Sequence, residues 1–151
     1  MKKLIFTIAL AVMTAFAANA QANLVQVNDY ESFNAVNISD NFIVKLNVAP
    51  KYSVRTIVDE RISPYIICYV KNGTLYVSVD RKNFPSDLKK HLKMKGVPAP
   101  LLEVEVYFPS IKSLELSDNV VLQVSDLIHS ESFTLTVLDK AKVNKIILEG
   151  D

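Results

Sequence analysis

The chain has 151 residues, with 17 Lys and Arg against 16 Asp and Glu. A charge that close to balance argues against nucleic acid or an anionic membrane as the global partner. The single cysteine, Cys68, makes an intramolecular disulfide impossible.

The N-terminus reads as a targeting segment. Lys2-Lys3 is a positive start, Leu4 to Ala17 is an apolar run, and Ala18-Asn19-Ala20 is a small-x-small cleavage site. The run falls short of the roughly 20 apolar residues that a membrane span needs. No cysteine lies near the cleavage site to carry a lipid. Residues 1–20 are therefore expected to be a signal peptide. Residues 21–151 are expected to be one exported β-solenoid-like domain, periplasmic or at the outer surface, with no stable membrane anchor. Without the two signal lysines, the remainder holds 15 basic against 16 acidic residues.

From residue 33 onward the apolar residues alternate, the pattern of half-buried strands. Val36 and Ile38 face one way, Asn37 and Ser39 the other. A polar turn, Ser39-Asp40-Asn41, leads to Val44 and Leu46. Tyr52 to Val58 is a second alternating run. Tyr65 to Val70 is strand-like, with Cys68 expected as a buried small hydrophobe. Tyr69 to Val77 reads as a hairpin with Asn72-Gly73 at its tip, a pair suited to the positive φ angles of a type I′ turn.

Residues 81–96 break the alternation. Ser86 is placed to cap a short helix from Asp87, with Leu88 and Leu92 on one face and Gly96 and Pro98 ending it. The segment reads as a partly helical, mobile insertion. Leu102 to Phe108 is again a strand, stopped by Pro109. Strands at about 132–138 and 142–148 close the chain.

The most informative feature is a repeat. Residues 111–124, with Leu114, Leu116, Ser117-Asp118-Asn119, Leu122 and Val124, restate residues 33–46. A third, weaker copy runs through Leu135, Val137, Leu138, Asp139, Lys140 and Ala141. Asp118 and Asp139 are 21 residues apart, about one solenoid coil; Asp40 and Asp118 are 78 apart. The copies are expected to stack in parallel, with the hairpin and the insertion looped out. The predicted fold is all-β, a short β-helix or solenoid with an appended antiparallel hairpin. Its predicted interior is Val36, Ile38, Val44, Leu46, Leu114, Leu116, Leu122, Val124, Leu135 and Val137.

Three segments resemble one family: Phe33-x-x-Val36-x-Ile38-Ser39, Val70-Lys-Asn-Gly-Thr-Leu-Tyr-Val77, and Val104-x-Val106-x-x-Pro109-x-Ile111-x-x-Leu114-x-Leu116-Ser117. They are similar to the head GIN domain, auto-transporter-adhesin-like family of exported proteins, commonest in Bacteroidota. The resemblance implies a right-handed parallel β-helix and a non-enzymatic surface or envelope role. The turns depart from the family's Gly/Ser-rich pattern, and family members usually carry more coils. The run Val143 to Leu148 is thus expected to leave an open strand edge, so that the protein either self-associates through it or is marginally stable as a monomer.

The candidate chemistry is sparse. Asp40, Asp118 and Asp139 would form a ladder along one corner. Stacked carboxylates suit Ca²⁺, yet the glycine pairs of Ca²⁺-binding solenoids are missing. Asp and Asn are ordinary turn residues, and the turn role is the expected one. His91 and His129 lack metal-ligand spacing and are expected in solvent. Arg81, Lys82, Lys89, Lys90, Lys93 and Lys95 could touch an anionic surface, but they read better as a solvated face. Glu103 and Glu105 share a strand face without a pocket to tune an acid. The tyrosines could stack on sugars or pair across strands, and the sequence does not assign their faces. No nucleophile motif or phosphate loop is present. No catalytic, metal or cofactor residue is assigned, and no cofactor is expected. The expected function is adhesin-like binding, with a glycan or envelope component as ligand. The alternative is a polysaccharide-active β-helix enzyme.

Overall fold

The structure, a computed structural model, describes residues 22–149 and the two-residue strand β1 (Thr7–Ile8). The expected signal peptide lies outside the described residues, apart from β1.

Alternation turns into strands along most of the length where it was read, and β1 and one further strand precede it. The order is β2 (Asn23–Asp29), β3 (Ala35–Ile38), β4 (Ile43–Val48), β5 (Ser53–Asp59), β6 (Ile66–Lys71) and β7 (Thr74–Val79), then helix α1 (Ser86–Leu92). There follow β8 (Leu102–Phe108), β9 (Ser113–Leu116), β10 (Val121–Ser125), β11 (Leu127–His129), β12 (Thr134–Val137), β13 (Lys142–Val143) and β14 (Ile147–Glu149). A seven-stranded sheet has the order β1-β2-β5-β8-β4-β10-β13. A five-stranded sheet has the order β12-β9-β3-β7-β6, and β11 pairs with β14 in a sheet of two.

The repeat predicts its own pairing. Val36 lies beside Leu114 and Ile38 beside Leu116, in parallel. Leu114 and Leu116 lie in turn beside Leu135 and Val137. Each copy crosses from the five-stranded sheet, through its aspartate turn, into the seven-stranded one, where β4, β10 and β13 are also parallel. The hairpin β6–β7 turns on Asn72 (φ 53°) and Gly73 (φ 76°), as its Asn-Gly pair requires. It is continuous with the five-stranded sheet, because β7 pairs in parallel with β3. β5 runs antiparallel to both β2 and β8. The protein is thus all-β, in mixed sheets that do not close on themselves.

One core joins the two large sheets. Ile38, Leu75, Leu114 and Leu116 from one sheet meet Val44, Leu46, Val104, Val106 and Leu122 from the other, with Phe42 and Phe108 fully buried among them. Leu88 and Leu92 of α1 pack against this cluster, as their spacing predicts.

Several expectations need correction. Val124 is 42% exposed, not interior. The β10–β4 register shifts between Leu122 and Val124, so Val124 falls opposite Lys45, and Ser125 takes the inward place opposite Leu46. Leu135 and Val137 are 37% and 42% exposed. They continue the inward rows of Leu114 and Leu116, but β12 is the last strand of its sheet, and among the described residues no further strand pairs beyond it. The run 143–148 is not one strand. β13 and β14 belong to different sheets and pair with β10 and β11. Ser86 does not cap α1. Pro85 holds the N-cap position in extended geometry, and no side chain caps the helix.

Candidate functional site

The aspartate ladder forms. Asp40, Asp118 and Asp139 all adopt positive φ, at 78°, 56° and 58°. Few residues besides glycine tolerate that region, and the short polar side chains of Asp and Asn are among them. Each rung reaches the next. The Asp40 backbone N–H donates to Asp118 Oδ2 at 2.9 Å, and the Asp118 N–H donates to Asp139 Oδ2 at 3.2 Å. Alongside, Asn119 Nδ2 donates to Asn41 Oδ1 at 3.1 Å.

The ladder has a cationic end. Arg81 grips Asp40 with Nε at 2.8 Å from Oδ2 and Nη2 at 2.6 Å from Oδ1. A shallow groove follows the row, lined by these three aspartates, Asn41, Asn119, Arg81 and Lys140. Asp40 also plays the local turn role, its Oδ1 accepting from the Asn41 N–H at 2.8 Å, whereas Asp118 and Asp139 accept from the backbone of the neighbouring turn. Among the described residues, no three His, Cys, Asp or Glu side chains are grouped to hold a metal ion.

A second acid is bound more deeply. Asp59 is 1% exposed. Its Oδ1 accepts from both the backbone N–H and the Nε of Arg61, each at 2.9 Å, and its Oδ2 accepts from Arg61 Nη2. Burial alone would raise the carboxyl's pKa. The hydrogen bonds and charge of Arg61 outweigh it, and the group sits below its ordinary value. Sequence reading missed this pair and the Arg81–Asp40 pair. Asp-x-Arg at a strand end is a weak local signal for the first. No local signal marks the second, whose partners are 41 residues apart.

The other candidates divide in the same way. Glu105 accepts from Arg55 Nη1 at 3.3 Å and from the Tyr107 hydroxyl at 2.8 Å. It and Glu103 lie on the half-buried outer face of β8. The lysines of the basic segment are exposed, while its leucines are committed to the core. His91 and His129 are exposed as expected, and His129 Nδ1 stands 3.5 Å from Glu149 Oε1. Cys68 is half-buried against the core, and burial pushes its thiol up to about 11. Tyr30 donates to the Cys68 carbonyl at 3.5 Å; Tyr52 and Tyr65 pack edge-on against Phe33 and Phe84. Only Tyr69 and Tyr76 stack on each other, with centroids 5.2 Å apart and planes 23° apart.

Residues 32–151 match the family described as "Putative auto-transporter adhesin, head GIN domain". The chain belongs to this family. No curated protein sequence matches it. Solved structures share the fold. A "putative adhesin" from Parabacteroides merdae aligns with a TM-score of 0.59 at 16% identity, over 86% of this chain and 52% of its own length. Another from Bacteroides fragilis gives 0.59 at 12% identity, over 84% of this chain and 55% of its own. A "Putative lipid binding protein" from Parabacteroides distasonis gives 0.60 at 11% identity, over 83% and 52%. The chain therefore spans about half the length of these neighbours, and at such identities the likeness concerns fold alone.

Proposed function

We propose that this head GIN family member is a non-enzymatic exported protein that acts by binding at the cell envelope or outer surface. The observation that carries the reading is how its acids are used. Asp40, Asp59 and Glu105 are each bound to an arginine of the same domain. Asp118 and Asp139 accept backbone N–H groups. A general acid or base needs a proton that a substrate can reach, and carboxylates engaged by arginines and backbone N–H groups do not present one. The family description supports an adhesin-like role. The aspartate-linked parallel units are read as coils of a right-handed β-helix, a scaffold on which outer faces are free to bind. Among the described residues no helix is long and apolar enough to cross a membrane.

The test joins two measurements on the purified protein. Incubation with plant, host and bacterial glycans should give no turnover, and retention on envelope fractions or immobilised glycans should exceed that of a charge-matched control. Turnover lost on replacing Glu103 or Glu105 would establish the polysaccharide-active alternative and overturn this one.

A further inference from the structure

We propose that the outer face of the five-stranded sheet is a binding platform for an uncharged, extended pyranose glycan, with Tyr69 and Tyr76 as its stacking surface. This rests on the binding role just proposed and assigns that role a site and a ligand class.

The register builds the platform. Tyr69 pairs with Tyr76, Tyr76 with Asn37, Asn37 with Glu115, and Glu115 with Thr136. These five residues come from five strands and form one straight row across the sheet. Asn37, Tyr76 and Glu115 each lie between two buried neighbours on their strand, so the row points outward. With strands about 4.8 Å apart, the row is roughly 19 Å long, enough for several linked sugar rings. The parallel row beside it runs Lys71, Thr74, Ala35, Ser113 and Thr134, small side chains except for Lys71 at its β6 end. The tall row therefore stands beside a low shelf.

The chemistry of the face selects the ligand. Tyr69 lies on the edge strand β6 and is 45% exposed, so its ring face away from Tyr76 is not covered by another strand. An aromatic face matches the C–H face of a pyranose, and the phenol offers a hydroxyl beside it. Asn37 both donates and accepts, Glu115 accepts, and the Thr and Ser hydroxyls do either. Sugar hydroxyls are themselves donors and acceptors, so such a face meets them in any orientation. Tyr, Ser and Asn also give contact area at low entropic cost.

Charge excludes the competing ligands. Lys71 and Glu115 are the only charged residues on the strands of this face, and they cancel. The outer face of the seven-stranded sheet instead carries Arg55, Glu103, Glu105, Lys45 and Lys142. An acidic polysaccharide or lipid headgroup would find no cationic patch on the tyrosine face.

Isothermal titration with cellohexaose, xylohexaose, laminarihexaose and chitohexaose tests the site, with polygalacturonate as the charged control. At least one neutral hexaose should bind, with affinity insensitive to salt. Tyr69→Ala and Tyr76→Ala should each weaken it tenfold or more, and Glu115→Gln less. Lys45→Ala, on the opposite sheet, should change nothing. Unaltered circular dichroism would show that the tyrosine variants fold. The platform is overturned if no neutral hexaose binds at millimolar concentration, if polygalacturonate binds better, or if the tyrosine variants bind as well as the parent. Retention on envelope fractions separates the two proposals. Equal retention of parent and double tyrosine variant refutes the platform while the binding role stands; a parent that neither is retained nor binds any hexaose refutes both.

Discussion

The two ends of the strand stack use the same apolar pattern and reach opposite outcomes. At one end, β3 and β4 are covered by β7 and β6 on one sheet and by β8, β5 and β2 on the other. Arg81 closes the aspartate ladder there, and α1 lays two leucines against the core. Val36 and Ile38 are at most 1% exposed. At the other end, β12 and β13 are the last strands of their sheets, and β14 edges the sheet of two. Leu135, Val137, Leu138, Ile147 and Leu148 are all 37% exposed or more. An apolar residue in a stacked repeat is buried by its neighbouring units as well as by its own.

The largest expected contrast is between core truncations at the two ends. Phe42→Ala at the covered end should lose about 3–5 kcal/mol. Leu135→Ala at the uncovered end should lose only about 0.5 kcal/mol, because it opens no sealed cavity. Urea denaturation of both variants measures the difference, and equal losses would break the comparison.

The Asp59–Arg61 pair belongs to the covered region and should follow in size. Asp59→Asn leaves Arg61 facing a neutral partner, and a loss of about 2–3 kcal/mol is expected. The effect carries a pH signature. The folded carboxyl has a lowered pKa, so its stabilisation is complete above the ordinary value of 3.8 and disappears as pH falls through the lower folded value. Melting temperature plotted against pH should therefore drop more steeply for the parent than for Asp59→Asn below about pH 4.

The ladder gives a finer comparison. Asp118→Gly keeps the positive φ available and removes the acceptor for the Asp40 N–H. It should cost about 1 kcal/mol. Asp139→Gly removes only the longer bond at the uncovered end, and should cost about half as much. Thermal melts of the two variants rank the rungs.

The smallest effect on the fold, but the one most specific to the uncovered end, concerns association. We propose that β12 pairs with β12 of a second copy. Two-fold pairing of β12 with β12 uses up that edge in both copies and so gives a dimer. Light scattering should show a mass that rises with concentration, and Leu135→Lys should hold the protein monomeric with little change in melting temperature. A parent that stays monomeric at high concentration would refute this pairing.

Much of this was legible in the residues. Alternation is a local property, and a repeated Ser-Asp-Asn between matched alternations leaves one economical register. Val36 therefore fell beside Leu114, and the three aspartates fell into line. Asn72-Gly73 specified its hairpin for the same reason, since φ preference is carried by the residue itself. What depends on neighbours distant in the chain was not legible. The bulge that turns Val124 outward is a misfit between two strands, visible only when both are placed. The exposure of Leu135 and Val137 depends on a covering layer rather than on their own pattern. Arg81 looked like one of six surface cations until the fold brought it onto Asp40. The tyrosines showed the same limit: alternation says that a side chain lies on a face, but only strand order says which residues share it. The repeat set Asn37 beside Glu115 and Glu115 beside Thr136, and the hairpin set Tyr69 beside Tyr76; tertiary structure alone joined the two sets, by pairing Tyr76 with Asn37 across 39 residues, beyond the reach of any local period.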